Sequence, residues 1–191
     1  MIVAISPIYG ASMGGFSLDL GAGRLWLVFF SAVKLPLLLL ATTALCLPVF
    51  YVVNAVAGLR DDFPEALQAI FSGQAGLAIA LASLAPITAF CYVSGLGYQT
   101  ALLLNAAMFV LATCAGHVIT VRYYRVLVRR RGLHTLMALL WFVLYAFVGI
   151  QMAWMLRPFI GDPSSPPAFF RPEPFSNAYI VVGNLLLRSF W

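Results

Sequence analysis

The chain has 191 residues, of which 63% are hydrophobic and only 9% are charged, and its mean hydropathy is +0.98. A soluble domain needs about 25% charged residues to cover its surface, so this composition excludes a water-soluble globular protein and predicts that lipid is the main solvent. Five of the eleven basic residues lie between Arg122 and Arg131, beside an apolar run. That clustering is typical of membrane topology and contact with anionic lipid, and it argues against a nucleic-acid-binding face.

The first 35 residues predict a segment at the membrane interface. Residues 1–24 have no basic region followed by an apolar core and a small-residue cleavage site, so we do not expect a cleavable signal peptide. The apolar stretch 25–33 is interrupted by Lys34. We expect this stretch to form either an interfacial helix or an extension of the first membrane span.

Four apolar runs are long enough to cross about 30 Å of hydrocarbon as helices. They predict an all-α integral membrane protein with a four-helix bundle over residues 36–157. The predicted spans cover residues 36–57, from 62 to about 93, 100–121 with a helical extension to 131, and from 134 to about 156. Asp62 and Glu65 match a capping box at the start of the second span. Small residues at every fourth position, including Gly76 and Gly116, predict close helix packing.

The chain after the fourth span divides into two parts. Residues 158–175 include six prolines and four phenylalanines, which excludes helix and favours an extended extramembrane segment lying on the membrane surface or the bundle. Residues 176–191 predict an amphipathic or partly inserted helix, because fifteen helical residues reach only about 22 Å.

The distribution of arginine and lysine predicts which side faces the cytoplasm. The loops after the first and third spans share a side and hold six arginines, against four basic residues on the other side. The positive-inside rule therefore places the 122–134 loop in the cytoplasm, in a bacterial cytoplasmic membrane. The basic stretch expected to contact anionic lipid consists of Arg122, Arg125, Arg129, Arg130 and Arg131.

Polar groups inside apolar spans are costly, so each requires an explanation. The predicted buried polar residues are Asn54, Gln74, Asn105 and His117. For the amides the alternatives are interhelical hydrogen bonds or the lining of a polar path. For His117 they are a neutral, hydrogen-bonded imidazole or a proton or metal site. A haem shared with His134 is rejected. If the third helix continues to Arg131, His134 begins the next helix near the tip of that hairpin, and His117 lies about 20 Å deeper along the axis.

The chemistry of an enzyme is not visible in the sequence. All six acidic residues lie in loops or at helix ends, and no nucleophile–base, metal-ligand or phosphate-binding motif occurs. The three cysteines are isolated in apolar runs and match no metal or redox motif. We therefore expect no catalytic residues, no cofactor and no bound metal.

The end of the fourth span carries a distinctive polar stripe. Gln151, Trp154 and Arg157 recur at every third position, and Pro158 ends the helix. A simple anchor needs only the tryptophan and the arginine. We therefore interpret the stripe as the docking site for the 158–175 segment, with Gln151 and Arg157 binding its backbone carbonyls.

The same stretch, "GIQMAWMLRPFIGDP", together with "KLPLLLL", "LPVFYVVNA" and "ASLAPI", resembles a group of bacterial multi-pass membrane proteins that share a Q-M-A-W-x-L-R-P-F-x-G signature. The resemblance covers most of the chain from about residue 30. It implies a multi-pass fold and no known activity.

Two functions fit these features. The first is a non-enzymatic integral membrane subunit or scaffold, which associates with other membrane proteins or with itself. It is favoured by the small-residue packing faces and the aromatic extramembrane segments. The alternative is a small oligomeric channel or transporter, which is favoured by the helix kinks expected at Pro48 and Pro86 and by the amides at depth. The placement of the amides discriminates between the two functions. Amides that converge on one water-filled cavity would favour transport, and amides that pair across dry helix contacts would favour the scaffold.

Overall fold

The computed structural model of the protein describes residues 1–20, 24–161 and 168–170, which form helices joined by short turns. One short helix is followed by four that are long and apolar enough to cross a membrane. In chain order the helices are α1 (Ile2–Gly14), α2 (Leu25–Val56), α3 (Phe63–Val93), α4 (Tyr98–Arg130) and α5 (His134–Leu156). The predicted all-α fold with four membrane-spanning helices is confirmed. The predicted helix at 176–191 lies outside the described residues.

Three of the helices are longer than a bilayer requires. Helices α2, α3 and α4 have 32, 31 and 33 residues. At 1.5 Å per residue they reach about 47–50 Å, against about 30 Å of hydrocarbon. Helix α2 runs without a break through Lys34 and Pro36. Residues 25–33 are thus an extension of the first span, which was one of the two alternatives expected for them.

Helix α1 packs along α2 and α3, and its Tyr9 is fully buried. Two glycines allow this approach to α2. A Cβ atom on Gly10 would lie 2.3 Å from the backbone oxygen of Ser31, and one on Gly14 would lie 2.5 Å from that of Leu27. The backbones of α1 and α2 therefore touch, so Ile2–Gly14 is an integral part of the bundle. The interfacial position predicted for residues 1–35 stays a prediction.

Helices α3 and α4 form the most extensive contact of the bundle, and it also depends on glycine. A Cβ atom on Gly73 would lie 1.9 Å from the Thr120 hydroxyl oxygen and 2.9 Å from the Gly116 backbone oxygen. The predicted small face of α4 is buried here, since Ala112, Gly116 and Thr120 all lie in this contact or beside it. Close backbone approach of this kind is how small residues bring membrane helices together.

The bundle has two ends that differ in chemistry. At the α1 end, the first turns of α2 and α4 meet the last turns of α3 and α5 and residues 158–161. At the arginine end, the α2–α3 turn meets the α4–α5 turn. Aromatic and amide groups dominate the first end, and charged groups dominate the second.

The predicted capping box at the start of α3 is wrong. Asp62 precedes α3, but its side chain makes no capping hydrogen bond. Its Oδ2 instead lies 3.0 Å from His134 Nε2, and its Oδ1 lies 3.4 Å from an Arg130 guanidinium nitrogen. The carboxylate is thus turned toward side chains of the α4–α5 turn and away from the backbone N–H groups of α3. Pro64 does occupy the first turn of α3, as predicted.

Candidate functional site: paired polar groups inside the bundle

A network of two tyrosines and an amide joins three helices at the α1 end. Tyr9 of α1 donates its hydroxyl to Asn105 Oδ1 of α4 at 2.9 Å. The Asn105 amide nitrogen donates to the hydroxyl of Tyr92 in α3 and to the Ala101 backbone oxygen, the latter at 2.7 Å. Asn105 is 3% exposed, so these bonds satisfy an amide that water does not reach. The predicted buried amide is thus a junction between helices.

A second buried pair joins α3 to α5 in the middle of the bundle. The Tyr145 hydroxyl donates to Gln74 Oε1 at 2.9 Å. Both side chains are buried, and Tyr145 belongs to a cluster of apolar and aromatic side chains that includes Trp141 and Phe50. Gln74, one of the amides that could have lined a polar path, is thus bonded to a side chain of the neighbouring helix.

Asn54 has a different role from the other amides. Its Nδ2 donates to the Phe50 backbone oxygen one turn earlier in α2 at 2.8 Å, and its own backbone oxygen accepts from the Leu59 N–H of the α2–α3 turn at 2.9 Å. The residue is fully buried, and its Oδ1 has no hydrogen-bond partner in the described part of the chain. Asn54 therefore stabilises the end of α2 and the turn that follows.

The two histidines occupy separate places. His117 lies with its ring 4.2 Å from that of Phe142, at a tilt of 34°. His134 is fully buried at the start of α5, with Nε2 facing Asp62. His117 thus packs on an aromatic ring of α5, whereas His134 fixes the turn between α2 and α3 against α5. Among the described residues, no three His, Cys, Asp or Glu side chains cluster closely enough to hold a metal ion.

The chain that follows α5 is held by α2. Lys34 Nζ donates to the Pro158 backbone oxygen at 2.8 Å, and Ser31 Oγ donates to that of Phe159 at 2.6 Å. Both donors are fully buried. The ring of Phe169 lies 4.8 Å from Lys34 Nζ and packs edge-on against the ring of Phe30. The backbone carbonyls of Pro158 and Phe159 are therefore bound, and α2 supplies both donors.

Two residues of the stripe at the end of α5, Trp154 and Arg157, contact each other. The Arg157 guanidinium stacks on the Trp154 ring at 3.2 Å, a geometry that favours both groups at a membrane interface. The proposed contacts of Gln151 and Arg157 with residues 162–167 and 171–175 fall outside the described residues. They stay a prediction.

Sequence reasoning missed Lys34, Ser31 and Tyr9. In the sequence Lys34 only interrupts an apolar run, but a charge placed in lipid is costly enough to require a partner. Gly10 and Gly14 form a G-x-x-x-G pattern, which would have predicted that α1 packs on another helix and would have drawn attention to Tyr9.

The five predicted arginines have three different environments. Arg130 lies 3.4 Å from both Asp62 and Glu65, and Arg131 donates to the Gly58 backbone oxygen at 2.8 Å. These two hold the α2–α3 turn. The other three, Arg122, Arg125 and Arg129, are exposed along α4, and Arg125 and Arg129 line a groove between α4 and α5.

The arrangement as a whole can hold helices and a chain segment in fixed positions. Its hydrogen bonds connect α1 to α4, α4 to α3, α3 to α5, and α2 to the segment after α5. Comparison of the chain with protein-family models, with curated proteins and with solved structures gave no match.

Proposed function

We propose that this chain is a non-enzymatic integral membrane subunit or scaffold, which associates with other membrane proteins or with copies of itself. It would reside in a bacterial cytoplasmic membrane with the arginine end, including the 122–134 loop, in the cytoplasm. The membrane location is supported by four helices that are long and apolar enough to span, and the orientation by the excess of arginine at that end.

The observation that carries this proposal is the pairing of interior polar groups with one another. Asn105 is bonded to Tyr9 and Tyr92, and Gln74 is bonded to Tyr145. A solute path needs polar groups whose hydrogen-bonding capacity is directed at the solute or at water. Here that capacity is used between helices, which supports a rigid framework over a conduit.

The fixed contacts between helices support the same proposal. Lys34 and Ser31 fix the chain after α5 against α2, and glycine contacts fix α1 against α2 and α3 against α4. A membrane scaffold needs a surface of constant shape, because a partner recognises that shape without the help of a large hydrophobic driving force in lipid.

The test is purification from native membranes in mild detergent after rapid chemical crosslinking, with quantitative mass spectrometry of the affinity-tagged chain. We expect a partner, or a second copy, in fixed stoichiometry with the wild type. A Gly116→Leu variant, which pushes α3 and α4 apart, should lose that stoichiometry, whereas a conservative change at the exposed Leu103 should keep it.

The alternative function predicts a different result. A small oligomeric channel or transporter would also associate with copies of itself, but it would conduct ions or take up a solute when reconstituted alone in liposomes. Flux through the purified wild type above that of protein-free liposomes would therefore contradict the scaffold proposal.

A further inference from the structure

A groove lies between α4 and α5 at the arginine end. Helix α4 packs mainly on α3 and helix α5 mainly on α2, so α4 and α5 touch each other only lightly. The groove has a volume of about 500 Å³, and a second groove of about 630 Å³ beside it shares Thr135 and Leu139. The residues that line the first groove include Val121, Arg125, Arg129, Thr135, Leu139 and Phe142.

The walls of this groove are apolar and open toward the side of the bundle. Val121 is 39% exposed and Leu139 is 57% exposed, although both lie on helices that are long and apolar enough to span a membrane. Exposed apolar side chains on such helices face lipid. An acyl chain of the surrounding bilayer can therefore enter the groove, because it stays in an apolar environment when it does so.

The mouth of the groove carries two arginines, Arg125 and Arg129. In the described part of the chain, Arg125 and Arg129 form no ion pair and no hydrogen bond, whereas Arg130 lies 3.4 Å from Asp62 and Glu65. Arg125 and Arg129 are four residues apart, so their Cβ atoms lie about 5–6 Å apart on one face of the helix. Two guanidinium groups at that spacing can bind one phosphate between them.

We propose that the α4–α5 groove binds one anionic phospholipid. Its phosphate lies between Arg125 and Arg129, the Thr135 hydroxyl donates to the headgroup, and one acyl chain runs along Val121, Leu139 and Phe142. The long arginine side chains reach from the wall of the groove toward the headgroup layer. A soluble phosphate would satisfy the charge but would leave the apolar walls uncovered, so a lipid is the occupant that matches both parts of the groove.

The experiment uses the full chain in detergent with an equal mixture of phosphatidylglycerol and phosphatidylcholine of identical acyl chains, followed by native mass spectrometry. We expect the wild type to retain one phosphatidylglycerol molecule in preference to phosphatidylcholine. Arg125→Gln and Arg129→Gln should each lower that preference about fivefold, and the double variant about 30-fold, because each removes one direct, charge-assisted contact to the bound phosphate, with a contribution of about 1 kcal/mol.

Arg122→Gln is the matched control, because Arg122 is an exposed arginine on the same helix that does not line the groove. It should leave the preference within about twofold of the wild type. Equal losses in all three single variants would mean a diffuse electrostatic effect and would overturn the proposal. Displacement of the lipid by millimolar glycerol phosphate would also overturn it, since the acyl chain would then contribute nothing. A comparable elution profile for every variant checks that the fold is intact.

Discussion

Lys34 is a fully buried lysine on an apolar helix, and its partner is a backbone carbonyl 124 residues later in the chain. A buried charge without a partner would be strongly unfavourable. The amine is therefore tolerated in α2 because Pro158 and the Phe169 ring surround it. The same contacts fix the position of the chain directly after α5. Lys34 is thus part of α2 and also holds a segment that is distant in sequence.

Lys34→Met should release the segment after α5, since methionine retains the apolar stem but cannot donate to the Pro158 oxygen. A hydrogen bond from a charged donor contributes about 1.5–3 kcal/mol. We therefore expect a thiol introduced at the buried Ile160 to react with maleimide about tenfold faster or more in the Lys34→Met background. A thiol at the exposed Phe170 serves as the control and should react equally in both backgrounds. Unchanged reactivity at Ile160 would show that Lys34 does not hold the segment.

Tyr145→Phe should destabilise the bundle, because it removes the donor to Gln74 and leaves a buried amide oxygen unpaired. The expected loss is about 1 kcal/mol, within the range for hydrogen bonds between membrane helices. The measurement is thermal unfolding in detergent. Tyr123→Phe is the matched control, because Tyr123 is exposed.

The pairing itself is tested by a double-mutant cycle. If Tyr145 acts through Gln74, adding Gln74→Leu to Tyr145→Phe should restore part of the lost stability, since no unpaired polar group then remains. Strictly additive losses from the two substitutions would contradict the pairing.

At the level of helices, glycine determines which elements touch. Gly73→Ala should separate α3 from α4, because the new Cβ would lie 1.9 Å from the Thr120 hydroxyl and 2.9 Å from a backbone oxygen. Overpacking of this kind costs about 1–3 kcal/mol. Gly149→Ala in α5 is the control, since its Cβ would meet nothing nearer than 3.6 Å. Equal melting temperatures for the two variants in detergent would be inconsistent with the α3–α4 contact described.

Sequence reasoning works best for features set by local pattern. Apolar runs of sufficient length predicted all four spans, and the small residues around Gly116 predicted a close helix contact. The capping box failed because Asp62 contacts Arg130 and His134, which lie 68 and 72 residues later in the chain. The donors to Pro158 and Phe159 were missed for the same reason. Partners distant in sequence are determined by how the helices pack, which the local pattern does not specify.

For the whole molecule, the order of the helices fixes which turns share a side of the membrane. Gly97 and Gly132 lie in exposed turns at opposite ends of α4, with nothing within 4 Å of an added Cβ. Cysteines at these positions, in a background without the native thiols, should label from opposite sides of sealed vesicles. A cysteine at position 132 should be accessible from the cytoplasmic side, because Gly132 lies at the end that holds the excess of arginine. Labelling of both from one side would contradict the four-span topology.

Polar groups that pair with each other close the interior of the bundle, as Tyr145 does with Gln74 and Tyr9 with Asn105. Cys46 reports on that interior directly, because its side chain is fully buried and its Sγ lies 3.7 Å from the Leu144 backbone oxygen. A Cys91→Ser/Cys114→Ser variant leaves Cys46 as the single thiol. It can then be exposed to a small, water-soluble methanethiosulfonate reagent in sealed vesicles, with reaction after unfolding in dodecyl sulfate as the reference. The closed bundle predicts that Cys46 reacts only after unfolding. Modification of Cys46 within minutes in the folded protein, from either side, would show a water-filled path through the bundle and would contradict a closed interior.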